Sequence, residues 1–249
     1  MQRPALRARD TVAVTMLDAV LHEWPWVGLA LAPVLVLLLV RESPQKSWRE
    51  RMDDPAFVLP LLWPMYLLHQ FEEHGRDIFG RRYPFMQSLC DTIGHHDLRS
   101  CPATPAFLFA VNVLGCQAAF VLSWMYRRKA PLIAACVWGI PLVNAFAHIV
   151  GSFRASAYNP GTLTSVVLFL PLSLWMLRTV LAAGAIEKRD VARVVASGVA
   201  THAVLLASLT LQKRGWIPYE LSLLVQALNG FLPLIFGAKS KPAVAPSVS

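Results

Sequence analysis

The chain has 249 residues, 55% of them hydrophobic and only 15% charged, and its mean hydropathy of +0.48 is too high for an ordinary soluble domain. Its formal charge of +8 does not signal nucleic-acid binding, because the arginines and lysines fall in short clusters between apolar runs. There they read as juxtamembrane anchors that set orientation and touch anionic lipid. The expected class is an all-α, polytopic membrane helix bundle.

In chain order, residues 1–23 hold Arg3, Arg7 and Arg9, then Asp10 and Thr11 as a helix cap and apolar residues at Val12, Met16, Leu17, Val20 and Leu21. This pattern predicts an amphipathic interfacial helix. The stretch has no cleavable signal pattern, and an Arg-rich targeting segment is the lesser reading. Seven apolar segments follow, near 24–41, 56–75, 103–126, 130–152, 161–183, 191–211 and 217–237. Each approaches the roughly 20 residues a helix needs to cross the hydrocarbon core, so 24–237 reads as one transmembrane domain. The second segment is the weakest, interrupted by Pro60 and Pro64 and ending in charge. Residues 238–249 are Pro- and Ser-rich and expected to be disordered. No internal repeat of the transporter kind is visible.

Seven crossings would put the termini on opposite faces, denoted A (the N-terminal side) and B. Face B then takes 13 of the 23 basic residues, which favours it only weakly as cytoplasmic. The second and fourth segments both run from B to A. His69 to His74 and His148 therefore emerge at one mouth, together with the 75–102 loop carrying His95 and His96, the turn 158–161, and Glu220. Of the four cysteines, none forms a C-x-x-C pair, so a thiolate zinc site is not expected. Cys116 and Cys136 lie in apolar runs and read as small core residues. Cys90 and Cys101 share a polar loop and can pair if it faces an oxidising compartment.

His69-Gln70-Phe71-Glu72-Glu73-His74 places four ionisable side chains at membrane depth, where they are costly and rarely lack a use. On a helix, Glu73 is four and Glu72 three residues from His69, so both carboxylates flank one imidazole. Asn144 and His148, again four apart, share a face of the fourth span. His69, Glu73 and His148 would make a 2-His-1-carboxylate set, with Glu72 a fourth ligand or the proton-transfer group. Such a set suits zinc with an open position for water or non-haem iron, and the sequence does not separate the two. A metal-free reading uses the adjacent glutamates as acid and base, with His69 or His148 relaying protons.

His74, five residues from His69, points away on an ordinary helix. Arg76 is expected to pair with Glu72 or to bind an anionic head group. His95 and His96 read as residues of a solvated loop, and His202 as a buried packing histidine. Asn112 and Asn229 are expected to cross-link helices. In Tyr158-Asn159-Pro160-Gly161 the proline fixes φ and the glycine accepts the turn geometry, so the fourth and fifth spans are tightly joined. Tyr158 is then either an interfacial anchor or directed into the site.

His69-x-x-Glu72-Glu73, the isolated His148 and Tyr158-x-Pro160-Gly161 together resemble the HXXEE-motif family of small integral membrane proteins. All three elements occur in order across about residues 66–162. The resemblance implies a membrane protein of enzymatic character without naming a reaction. A weaker resemblance is to glutamate-type intramembrane proteases that process prenylated proteins. There the paired glutamates precede an arginine by three intervening residues, where Glu72-Glu73-His74-Gly75-Arg76 leaves two.

The expected function is that of a membrane-embedded enzyme acting on a lipid or other hydrophobic small molecule. Its centre is His69, Glu72, Glu73 and His148, with Asn144 and Tyr158 as orienting groups. Hydrolysis at bound Zn or Fe is the first mechanism; a metal-free isomerase, cyclase or intramembrane protease is the second. The other classes are a proton-coupled transporter, whose polar residues would run the full depth of the bundle, and a structural protein. Oligomeric state is not legible, because lipid-facing and partner-facing apolar surfaces look alike.

Overall fold

Proline placement and capping explain much of where the helices begin. The computed structural model describes residues 8–238. Helix α1 (Ala8–Arg41) runs through Pro25 and Pro33 without ending, so the amphipathic stretch and the first apolar segment form one helix. It is already under way before the expected cap at Asp10 and Thr11. Arg3, Arg7 and the tail from residue 239 onward lie outside the described residues. Ser47 starts the short α2 (Trp48–Met52) with a reciprocal capping box to Glu50. Asp54 then caps the next segment, accepting from the Ala56 N–H, with Pro55 in the first turn.

That segment, α3 (55–75), changes pitch along its length. It opens as α-helix, tightens to a 3-10 turn over Leu59–Leu61 around Pro60, resumes as α-helix over Leu62–Gln70, and widens to a π-turn over Phe71–Gly75. A loop with the short helix α4 (Phe85–Thr92) follows and is closed by a disulfide between Cys90 and Cys101. Thr104 caps α5 (Pro105–Tyr126), with Pro105 in its first turn. Next come α6 (Pro131–Ala155), α7 (Thr162–Ala182) and α8 (Lys188–Lys213). The last apolar stretch divides into α9 (Tyr219–Asn229) and α10 (Leu232–Gly237).

Among the described residues, five helices are long and apolar enough to cross a membrane: α1 from Met16, α5, α6, α7 and α8. The other two expected crossings are not among them: α3 is diluted by Pro55, Pro60, Pro64 and its polar His69–His74 end, and the last apolar stretch is broken between α9 and α10. The side-chain pattern is that of a bundle set in lipid. Phe153, Val27 and Ile235 face outward with at least 69% exposure, while Gln70, Asn112, Gln226 and Asn229 are buried inside.

Bonds between elements define the two ends. At face A, Arg82 pairs with Glu23 at 2.8 Å, Thr104 shares a 2.6 Å hydrogen bond with Tyr219, and Lys213 donates to the Ile93 carbonyl at 2.8 Å. At face B, Arg127 grips Glu42 at 2.6 Å and Trp175 donates to the Met52 carbonyl at 2.8 Å. Glycines let two helix pairs touch through their backbones: Gly139 of α6 against Gly198 of α8, and Gly115 of α5 against Gly230.

Candidate functional site

The α3 helix brings its charged end to face A already buried. His69, Gln70, Glu72, Glu73 and His74 are each no more than 5% exposed. The widened turn over Phe71–Gly75 carries both glutamates and His74. Two further π-turns lie alongside it, Ala110–Gly115 in α5 and Ser165–Phe169 in α7. Such turns are rare and collect at functional sites, because an extra residue per turn re-aims the side chains around it.

Glu73 is the hub. Its Oε1 lies 2.9 Å from His148 Nε2, and its Oε2 lies 3.4 Å from His69 Nε2 and 3.5 Å from His74 Nε2. Gln70 Nε2 also donates to Oε2 at 3.2 Å. One donor atom from each of His69, Glu73 and His148 falls within 4.8 Å of the others, and all three residues are buried. His148 arrives from α6, one turn beyond Asn144, whose Nδ2 donates to His69 Nε2 at 3.0 Å.

Glu72 turns the opposite way. It accepts from the Leu163 N–H at 3.0 Å, from the Thr164 N–H at 2.8 Å, and from the hydroxyls of Thr164 and Tyr158. It thereby caps the free amides at the start of α7, where a carboxylate is also favoured by the helix dipole. Thr164 Oγ1 lies in addition 2.7 Å from His69 Nδ1. With its proton given to Glu72, the hydroxyl accepts from Nδ1–H, so His69 turns the Nε2 lone pair toward Glu73 and Asn144. Glu73 thus sits on one side of His69, and Glu72 reaches the other through Thr164.

The turn between α6 and α7 closes the site. Ser156 (φ 47°) ends α6 in the left-handed region, and Gly161 (φ 94°) precedes α7. A Cβ on Gly161 would stand 2.7 Å from His148 Cε1 and 2.8 Å from His69 Cε1, so both backbone angle and space require glycine there. Tyr158 lies in this turn, with its hydroxyl on Glu72 and its ring against Phe79. Burial and the bond to Glu72 push that hydroxyl above the ordinary tyrosine value.

Two expectations need correction. His74 does not point away from the site: the widened turn carries a residue five positions on back to the same face, and it shares Glu73 with His69. Asn112 donates to its Nε2 at 3.2 Å, and Trp24, Tyr83 and Phe85 surround its ring. Arg76 does not pair with Glu72, whose acceptor positions are filled by Tyr158, Leu163 and Thr164; its backbone instead bridges Arg82. His95 and His96 stay in the solvent-facing loop, His96 3.0 Å from Asp91. His202 hydrogen-bonds the Gly198 carbonyl at 2.8 Å. Thr164 and Phe169, whose ring centroid lies 4.1 Å from that of His69, were not anticipated. The only local signal for Thr164 is its place in the first turn after Gly161, where a carboxylate from elsewhere finds free amides.

No curated protein and no solved structure matches the chain. Residues 60–176 match a family model described as a protein of unknown function with HXXEE motif, a stretch that holds His69, Glu72, Glu73, Asn144, His148, Tyr158, Gly161 and Thr164. That stretch, a little under half of the chain, is similar to the HXXEE-motif family, in line with the resemblance its motifs carry.

Proposed function

We propose that this protein is a membrane-embedded hydrolase acting on a lipid or similar hydrophobic molecule, at a zinc or iron ion held by His69, Glu73 and His148. The observation that carries the proposal is the placing of Glu73 between imidazoles from two helices in a buried site. His69 Nε2 and Glu73 Oε2 face each other at 3.4 Å, and the bond to Thr164 leaves Nε2 with a lone pair. The amides of Asn144 and Gln70 meet these two acceptors, and a cation between them would bind both lone pairs at once. Donors at tetrahedral angles around zinc, with bonds of about 2.0–2.1 Å, sit roughly 3.3 Å apart. A bound metal would supply a water acidic enough to ionise near neutral pH. Thr164 and Glu72 would fix the ring of His69 from behind.

The test is elemental mass spectrometry on detergent-purified protein prepared without chelator, wild type beside Glu73→Gln and His148→Ala. Near one equivalent of zinc or iron, lost in both folded variants, is expected. A well-folded wild type without metal would overturn the proposal. A specific observation then favours a metal-free acid–base isomerase or cyclase: the hydrogen-bonded chain from His69 through Thr164 and Glu72 to Tyr158 at the membrane face.

In this reading α3 and α9–α10 also cross the bilayer, giving seven crossings. Supporting this, the chain passes from Met52 at the end of α2, bonded at face B, through α3 to Glu72 at face A. The last pair runs from Tyr219 at face A to Gly237, which lies against Ile133 near the start of α6. The site would open away from the cytoplasm. The Cys90–Cys101 disulfide on face A and the larger share of basic residues on face B both support that orientation.

A further inference from the structure

A cavity of about 70 Å³ begins at Glu73, Tyr66 and Asn144 and extends into the bundle as far as Gln226 and Asn229 of α9. Its sides are Phe85 and Leu89 from the disulfide-closed loop, Leu108 of α5 and Leu205 of α8. Although several lining residues are polar, most of their hydrogen-bonding groups are already engaged. Gln226 Nε2 donates to Ser208 Oγ at 2.6 Å, and Asn229 Nδ2 donates to the Thr201 carbonyl at 3.0 Å and to Gln226 Oε1 at 3.3 Å. Asn112 is engaged with His74. Asn229 Oδ1 remains unpartnered. A water molecule needs two to four polar partners to be held in such a place, whereas the surface this lining presents is predominantly apolar. An apolar occupant fits better.

The volume decides its shape. A dry cavity that takes benzene measures roughly 150 Å³, about twice this one, so a ring is excluded and a slender chain is admitted. We propose that the cavity seats the end of an unbranched, ring-free apolar chain whose polar group lies at Glu73. The substrate class is then a single-chain lipid rather than a sterol or other fused-ring compound. This inference rests on the reading of Glu73 as the reaction centre, and it narrows what that centre acts on.

The test is binding to the detergent-purified full chain, read by native mass spectrometry, with 1-decanol and 2-(1-adamantyl)ethanol as probes. Wild type should bind 1-decanol at one site and the adamantyl alcohol at least ten-fold more weakly. Leu205→Phe, which fills the cavity, should weaken 1-decanol about ten-fold without changing metal content. Leu108→Ala, which widens it, should admit the ring-bearing probe. If Leu205→Phe does not fold, the gain of ring binding in Leu108→Ala decides alone. Equal binding of both probes to wild type, indifference to the variants, or no binding of 1-decanol each overturns the inference. Metal content is measured separately, so failure of the metal site with selective chain binding intact is a distinct outcome.

Discussion

The two ends of the bundle handle buried polar groups in opposite ways. At face B, backbone carbonyls near the irregular parts of the chain each take two neutral donors from other helices. Trp138 Nε1 and Ser123 Oγ donate to Leu59 O at 2.8 and 3.3 Å, and Thr179 Oγ1 joins Trp175 on Met52 O at 3.2 Å. At face A, ionisable side chains converge: Glu73 lies against three imidazoles, and Glu72 accepts from Tyr158 and the first amides of α7. The first arrangement completes backbone hydrogen bonding and packs the interior. The second keeps a lone pair and a carboxylate facing each other out of water, which stability alone does not require. A helix that changes pitch can therefore serve packing at one end and hold the proposed reaction centre at the other.

The comparison can be broken by exchanging the two phenotypes. Trp138→Ala removes a fully buried indole and should cost about 3–5 kcal/mol of stability, while the folded fraction binds the proposed metal as wild type does. Loss of metal from folded Trp138→Ala protein would show that the ends are not separable. Gly161→Ala forces a side chain into the left-handed region at about 1–3 kcal/mol and drives a methyl into both imidazoles. It should lose the proposed metal and activity together even where thermal unfolding shows a folded protein.

Smaller changes sharpen the distinction. Thr164→Val keeps the shape but cuts the link from Glu72 to His69, and should weaken metal binding by roughly 10–100-fold. Thr164→Ser should restore it, which a purely structural role for the threonine would not predict. Tyr158→Phe should cost about 1 kcal/mol through the lost bond to Glu72. Because the folded state raises this hydroxyl above its ordinary value, the contribution is full below the ordinary tyrosine pKa and declines as pH rises beyond it. The stability gap between wild type and Tyr158→Phe, followed by thermal melts, should stay flat from about pH 6 to 9 and begin to close only above about 10. A gap that closed in mild acid or near neutrality would mean that Tyr158 is not held as a donor.

Much of the site was legible because its elements sit at short, periodic spacings. His69 and Glu73 share a face on any helix, as do Asn144 and His148, and Tyr158-Asn159-Pro160-Gly161 announces a turn. The convergence of α3 and α6 on one mouth followed from counting crossings. His74 was misread because a 3.6-residue period was assumed where the chain takes a π-turn. Thr164 was passed over because a threonine in an apolar run carries no mark of the carboxylate it will meet. The pairing of Cys90 with Cys101 was open in the sequence, and the loop fold brings their Cα atoms to 5.9 Å.

By itself the sequence determined the all-helical class, the polar cluster at the end of the second apolar segment, and the candidate residues of the site. These follow from composition and local periodicity, which act over a few residues. Only the tertiary structure decided which carboxylate faces the imidazoles and which caps α7, that His74 joins the site, and that a narrow apolar cavity leads inward from Glu73. Those outcomes depend on packing between helices far apart in the chain, as in the 91 residues that separate Glu72 from Leu163. A pitch change of one residue in a turn re-aims a side chain there, and no local pattern records it.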